Sequence, residues 1–345
     1  MGCQMKDSLV SVISCFYNRS EYVCRSVESL LRQTYKNIEI LLVDDGSTDD
    51  TLDQLSSYKD SRIKLISHRN KGFVRALKDA ISISHGNFIA IHGSGDISLP
   101  QRIEKQVYML MDNPNIGVVG CYRQDFSIAR NLWDIQKPSV AEDQLSQLLL
   151  HNPFSHGEVM FRRSCYEQVG GYREFFEFAQ DRDLWLRLAP ITRFAVVPEI
   201  LYRREPIEGS VTKTPCKARK QTYLSEFSIF CALTRKLKSI DPLDQYGSKA
   251  FIDFQNSISA KHKISTRLRG LAYRYAADGQ FFAAKEFMKE VTDLKPSFFN
   301  VVVSRIITSS EKNLTLRKLI KILLRLRFIF KARVEKNIKN AFKKG

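Results

Sequence analysis

Residues 10–51 read VSVISCFYNRSEYVCRSVESLLRQTYKNIEILLVDDGSTDDT. Residues 10–16 and 38–43 are short apolar runs, and between them Val23, Val27, Leu30 and Leu31 recur at spacings of three and four. Such runs are strands buried on both faces, and such spacing is the apolar face of a helix, here with Ser20 as its cap. The pattern continues. Asp49 or Thr48 caps a second helix, residues 63–67 form a third strand, and Phe73, Ala76, Leu77, Ala80 and Ile81 mark a third helix. Residues 88–92 give a fourth strand, Pro100 opens a helix bearing Ile103, Val107 and Leu110, and residues 116–120 give a fifth strand. The expectation is an α/β domain whose Rossmann-like, mostly parallel sheet carries helices on both faces.

Residues 121–215 are mixed, with a strand expected at 158–161, a helix at 181–188 and a strand at 194–201. Beyond the loop at 209–215 helical patterns dominate, including 271–294 and a stretch from about residue 314. We therefore divide the 345 residues into a domain at 7–215 and a basic helical region at 216–345, near the usual domain size of about 150 residues. With 43% hydrophobic and 26% charged residues, a disordered chain and a polytopic membrane protein are excluded.

Charge is unevenly shared. Residues 1–215 carry a net −1 and residues 216–345 a net +18, which points to an anionic partner of the second part. Residues 311–345 place Leu319, Leu323, Leu326, Phe330, Val334, Ile338 and Phe342 on one stripe between basic flanks, the pattern either of a helix lying on an anionic membrane surface or of one packed on the chain's own helices with its charges solvated. No nucleic-acid-binding module accompanies the charge, which argues against nucleic acid as the partner. The seven cysteines are scattered without a C-x-x-C pair, as expected of free thiols in a reducing compartment. The N-terminal residues show no signal peptide, and no window offers about 18 uncharged apolar residues. The expected location is cytoplasmic, peripheral on the inner face of the cell membrane.

In an open parallel sheet, ligands bind at the carboxyl ends of the strands, so the informative residues follow strands. Asp44 and Asp45 follow the second strand, where they suit either hydrogen bonds to a base or ribose, or a tight turn. The fourth strand ends in His92-Gly93-Ser94-Gly95-Asp96, whose glycines allow a close backbone approach to a ligand. Asp181 opens an apolar-faced helix and suits either chemistry or an N-cap. The six histidines form no metal-ligand pair at helical spacing and read as loop or surface residues. Walker A, G-x-G-x-x-G and G-x-S-x-G motifs are absent, which removes the ATPase, dehydrogenase and serine hydrolase readings.

Taken together and in order, residues 10–51, NKGFVRALKDAISISHGNFIAI, GSGDISLPQRIEKQV and HGEVMFRRSCYEQVGGYREFFEFAQDRDLWLRL resemble the family 2 inverting glycosyltransferases over about residues 8–205. The resemblance implies a GT-A fold, a nucleotide-sugar donor, commonly UDP-linked, and transfer to a hydroxyl of a saccharide or lipid-linked acceptor in cell-surface polysaccharide or glycolipid synthesis. Carried over by position, Phe16, Tyr17 and Asn18 line the nucleotide pocket, and Asp45 hydrogen-bonds the base. Asp181 is the catalytic base, and His156 and Gly157 open the acceptor-side strand. The family's metal motif departs here: its D-x-D pair is Gly93-Ser94-Gly95, and Asp96 alone survives. Three readings stay open. Asp96 holds a divalent cation (Mg or Mn) with waters, a basic side chain such as Arg75, Arg102, Arg203 or Arg204 takes the cation's place, or the chain is a catalytically silent nucleotide-sugar-binding subunit that acts through its basic tail.

Overall fold

The structure, a computed structural model, describes residues 8–127, 131–205, 207, 214–313, 315–320 and 322–324. It divides into two compact units, residues 1–210 and 211–345. The first opens with β1 (Val10–Phe16), α1 (Ser20–Leu31), β2 (Ile38–Asp44), α2 (Thr51–Ser56), β3 (Ile63–Ser67), α3 (Phe73–Ser82) and β4 (Phe88–Ile91). These are the expected βαβ repeats: β1 pairs in parallel with both β2 and β4, and β2 with β3. All seven residues of β1 are buried, as required of a strand covered on both faces. Val10, Val12, Phe16, Val27, Leu30, Ile40 and Leu42 belong to one apolar core.

There follow β5 (Ile97–Ser98), α4 (Arg102–Asp112), β6 (Ile116–Ser127), β7 (Leu132–Gln136), α5 (Gln144–Leu150), β8 (Met160–Arg162), α6 (Arg163–Gln168), α7 (Gln180–Leu188) and β9 (Arg193–Arg204). The sheet order is β3-β2-β1-β4-β8-β6-β9-β5, with β7 on β6. The parallel progression breaks after β4, where β8 inserts antiparallel between β4 and β6. Chain order reverses at β1 and β4, so the crevice beyond their carboxyl ends lies at the switch point.

Several boundaries differ from the sequence reading. Ser20 is the first helical residue of α1 rather than its cap, and its N–H donates to Asp49 on the neighbouring loop. Asp49 also takes the Thr51 N–H, while Asp50 occupies the cap position of α2. Pro100 lies in the turn before α4 rather than in it, and β6 and β9 run well past their expected ends. Residues 156–158 form a 3₁₀ turn with a Ser155–Glu158 capping box, so His156 and Gly157 precede β8 instead of opening it.

The second unit is helical: α8 (Pro215–Lys238), α9 (Pro242–Tyr246), α10 (Ser248–Asn256), α11 (Ile258–Ala277), α12 (Phe281–Leu294) and α13 (Phe298–Lys312). The pattern at 271–294 is two helices, broken where Gly279 takes φ +84° and Gln280 N–H closes onto Tyr275 O. Among the described residues no helix is long and apolar enough to cross a membrane. Residues 325–345, which carry most of the expected membrane stripe, lie outside the described residues.

Candidate active site

The loops after β1 and β2 are laced together. Asn18 sits at φ +52°, its N–H donates to Ser47 Oγ at 3.0 Å, and its Oδ1 accepts the Thr48 N–H at 2.8 Å. Asn tolerates this left-handed conformation better than most residues. Phe16 is buried beneath, while Tyr17 leaves 47% of its surface open. Asp44 and Asp45 are both buried. Asp44 accepts from Ser47 N–H and Ser67 Oγ. The Asp45 carboxylate accepts the Lys71 N–H at 2.9 Å and the Gly72 N–H at 3.1 Å, with His68 Nδ1 at 3.4 Å. Asp44, through Ser47, fits the expected local turn, whereas Asp45 holds the distant turn before α3; a carboxylate has further lone pairs for a ligand.

The loop after β4 is organised by a residue the sequence did not single out. Tyr202 on β9 is fully buried; its hydroxyl donates to Asp96 Oδ2 at 2.7 Å and accepts the Gly93 N–H at 2.9 Å. A Cβ at position 93 would lie 2.3 Å from that same Asp96 oxygen. Gly95 adopts φ +101°, and a Cβ there would lie 2.7 Å from Ile207 Cδ1. A Cβ on Gly157 would lie 2.3 Å from the Tyr202 hydroxyl. Contacts under 3.0 Å require a shift of one partner, so all three glycines belong to one close-packed arrangement with Asp96 turned inward.

Burial pushes the Asp96 carboxyl up, to about 6, against the pull of Arg204 and the Tyr202 hydrogen bond. A divalent cation is held by one or two carboxylates together with diphosphate oxygens. This loop offers a single carboxylate, already bonded to Tyr202 and facing a guanidinium. Among the described residues no group of three or more His, Cys, Asp or Glu side chains could hold a metal. Asp96 is thus the one carboxylate in the described residues of this loop on which a divalent cation could rest, and its Oδ2 already accepts from Tyr202.

Of the four arginines proposed from sequence, three have other positions. Arg102 is wholly buried, donating to Ser98 Oγ, the Ile91 carbonyl and Gln106. Arg75 pairs with Glu174 on the surface, and Arg203 donates to Gln124. Arg204 keeps 37% of its side chain exposed, with Asp125 Oδ1 3.9 Å away. His92 lies in the loop after β4, but not at the surface. It is 2% exposed, with Nε2 2.9 Å from Ser26 Oγ and Nδ1 3.1 Å from Ser98 Oγ, and burial lowers its imidazole to about 3, so it is neutral.

Asp181 lies in the first turn of α7, after Ala179 at φ +62° has turned the chain into the helix. The N-cap reading therefore fails. Its Oδ2 accepts from Asn152 Nδ2 at 2.8 Å, and its Oδ1 has no hydrogen bond among the described residues. The positive end of the helix dipole faces this carboxylate. Asp183, two residues on, is instead a structural anion, buried between Arg173 and Arg187. His156 joins the two halves of the site. Its ring is bonded to Tyr172 Oη at 2.6 Å and lies edge-on to Phe73, with Gln180 Nε2 3.4 Å from its Nδ1. Burial lowers its imidazole below the usual range, although Asp181 opposes this. The adjacent Gly157 has no room for a side chain against Gly93 and Tyr202, so the expected donor and acceptor residues come together at residues 156–157. Tyr202 and Asn152 escape a sequence reading because neither lies in a local pattern: their partners are 106 and 29 residues away.

Comparison with known proteins follows the same outline. Residues 11–170 match the family model described as Glycosyl transferase family 2. EpsE of Bacillus subtilis is 37% identical over 189 residues, 52% of this chain and 66% of that protein. The Escherichia coli UDP-Glc:alpha-D-GlcNAc-diphosphoundecaprenol beta-1,3-glucosyltransferase WfgD is 39% identical over 119 residues, 34% of this chain and 47% of that one. The chain thus spans less than two-thirds of the length of these relatives. Among solved structures, S. aureus TarS 1–349 in complex with UDP-GlcNAc matches with TM-score 0.53 and 15% identity, over 92% of this chain and 91% of that one, which is a likeness of fold.

Proposed function

We propose that the chain, which matches the model of glycosyl transferase family 2 over residues 11–170 and has a GT-A fold, moves a sugar from a nucleotide-sugar donor to an acceptor hydroxyl with inversion at the anomeric carbon. The observation that carries this reading is Asp181: a carboxylate oriented on one oxygen by Asn152, with the other oxygen uncommitted, on the helix beside His156. Such a group can take the proton of an attacking hydroxyl provided it lies within hydrogen-bonding reach. A silent binding subunit would have no use for a carboxylate held in this way. The donor lies across the loops after β1, β2 and β4, with Phe16, Tyr17, Asn18 and Asp45 on the nucleotide side and residues 93–96 toward the sugar diphosphate. The nucleotide-sugar class is supported by the UDP-GlcNAc bound in the TarS structure and by the UDP-Glc in the name of WfgD, and the latter supports a lipid-linked acceptor.

Titration with a panel of nucleotide sugars tests the donor, and proton NMR of the product tests the stereochemistry. One donor binding in the micromolar to millimolar range and a product of inverted anomeric configuration are expected. Retained configuration would contradict the Asp181 assignment.

The basic second part is proposed to rest on an anionic membrane surface, which would keep the enzyme peripheral on the cytoplasmic side. The supporting observation is that Leu319 and Leu323, the first two residues of the stripe, each leave more than half of their surface open. The apolar stripe is thus unpacked where it begins.

A further inference from the structure

We propose that Arg204, with Arg25 beside it, neutralises the departing diphosphate in place of a divalent cation. The inference rests on the donor reading above and goes beyond it by assigning the charge that the leaving group needs.

Position comes first. In the β5–β9 ladder, Ser98 pairs with Tyr202 and Ile97 with Arg203. Extending that register by one residue sets Arg204 across from Asp96. Tyr202, two residues before Arg204 and so on the same face of β9, already reaches Asp96. Arg204 is therefore carried to the mouth of the loop where the metal motif would stand.

Availability comes next. The Arg204 guanidinium makes no hydrogen bond among the described residues, and its ion-pair partner Asp125 is at 3.9 Å. Asp125 is held more closely by Arg123, at 3.2 Å, and Arg123 also grips the buried Glu158 at 2.9 Å. Arg204 has five N–H donors in a planar fork, which matches phosphate oxygens. Arg25 approaches the same loop from α1. Its Nε donates to the Gly95 carbonyl at 2.9 Å and its Nη1 bonds Glu205, while its Nη2 is buried without a hydrogen-bond partner. A buried unpaired donor is costly, and an anion at this loop would satisfy it.

The glycines complete the case. A side chain at 93 would displace the Asp96 carboxylate from Tyr202, and one at 95 would meet Ile207 in a strained backbone. A carboxylate side chain at 93 would thus compete with Asp96 for its place against Tyr202, and one at 95 would need a left-handed backbone. In the transfer step, the acceptor oxygen bonds to the anomeric carbon and its proton passes to Asp181. The bond from that carbon to the diphosphate oxygen breaks, its electron pair stays on the diphosphate, and the two guanidiniums offset the added charge.

Calorimetry on the full chain tests this, using UDP, GDP, CDP, ADP and dTDP, each against its own nucleoside, in chelator and in magnesium. The proposal expects one diphosphate to bind in chelator, with magnesium changing its affinity by less than about twofold. Arg204→Gln should weaken that diphosphate by at least about tenfold and leave the nucleoside unchanged, and Arg204→Lys, which keeps the charge without the fork, should restore part of the loss. A tenfold gain from magnesium, an unchanged diphosphate affinity in Arg204→Gln, or an equal loss for diphosphate and nucleoside would each overturn it. If none of the five diphosphates binds to the parent protein, the donor reading itself falls, and this inference falls with it.

Discussion

The Tyr202 hydroxyl and the Asp96 carboxylate, 106 residues apart in sequence, meet at 2.7 Å and fix the loop after β4. The same hydroxyl takes the Gly93 N–H and fills the space where a Gly157 side chain would lie. One phenol thereby sets the backbone of both the expected donor loop and the expected acceptor turn.

Gly157→Ala should disturb both. Its Cβ would lie 2.3 Å from the Tyr202 oxygen and 3.0 Å from the Gly93 nitrogen. Overpacking of this kind costs about 1–3 kcal/mol, and urea melts should show that loss together with weaker donor binding. Gly270→Ala is the contrast: it lies within α11 with nothing within 4 Å of its added Cβ. It should stabilise by about 0.5–1 kcal/mol.

Asp96 should make stability depend on pH. Its folded-state carboxyl is raised to about 6, set by burial, Arg204, Tyr202, Asp125 and Arg25. The folded form then binds the proton more tightly than the unfolded form, so this contribution to stability is complete below the ordinary value near 4 and is lost as pH rises through about 6. Asp96→Asn keeps an acceptor for Tyr202 and removes the titration. The parent's stability relative to Asp96→Asn should fall between pH 4 and pH 7, and a constant difference in urea melts across that range would contradict it.

Asp45 has two roles that two variants separate. Asp45→Ala leaves the N–H groups of Lys71 and Gly72 without their acceptor and should cost about 1–3 kcal/mol of stability. Asp45→Asn retains one acceptor oxygen. Its NH2 faces the other backbone N–H, so it should lose part of that stability, less than Asp45→Ala, and bind nucleotide more weakly by about 1.5–3 kcal/mol for a lost charge-assisted hydrogen bond. An unchanged dissociation constant would leave Asp45 a turn residue.

A chain ending at residue 324 keeps Arg317, stacked on Phe281, and the buried Ile320, so the second unit should stay folded. Residues 325–345 carry eight Lys or Arg and one Glu. Their removal should lower co-sedimentation with anionic liposomes, each basic residue near the surface being worth about 1 kcal/mol at low salt. Full-length protein that ignores such liposomes at low salt would contradict the membrane proposal.

What could be read from sequence follows from how local each signal is. Strands β1, β2 and β4 show as largely apolar runs because both of their faces are covered, whereas β3, with Lys64 exposed, does not, and α3 shows through Ala76, Leu77, Ala80 and Ile81, all buried. The insertion of β8 between β4 and β6 has no local signature, since it depends on pairing Ala90 with Met160. The break at Gly279 is hidden because the apolar spacing on its two sides happens to be in phase. At the site, Asp181 and residues 93–96 are legible through their order along the chain. Tyr202, Asn152 and Arg25 are not, because their roles are set by partners distant in sequence.

The most direct test of the account is Asp181→Asn, measured as release of nucleoside diphosphate from the bound nucleotide sugar, with water or added saccharide as acceptor. The account predicts a folded protein whose donor dissociation constant stays within about twofold of the parent while turnover falls by about a hundredfold or more. Turnover at the parent rate would contradict it.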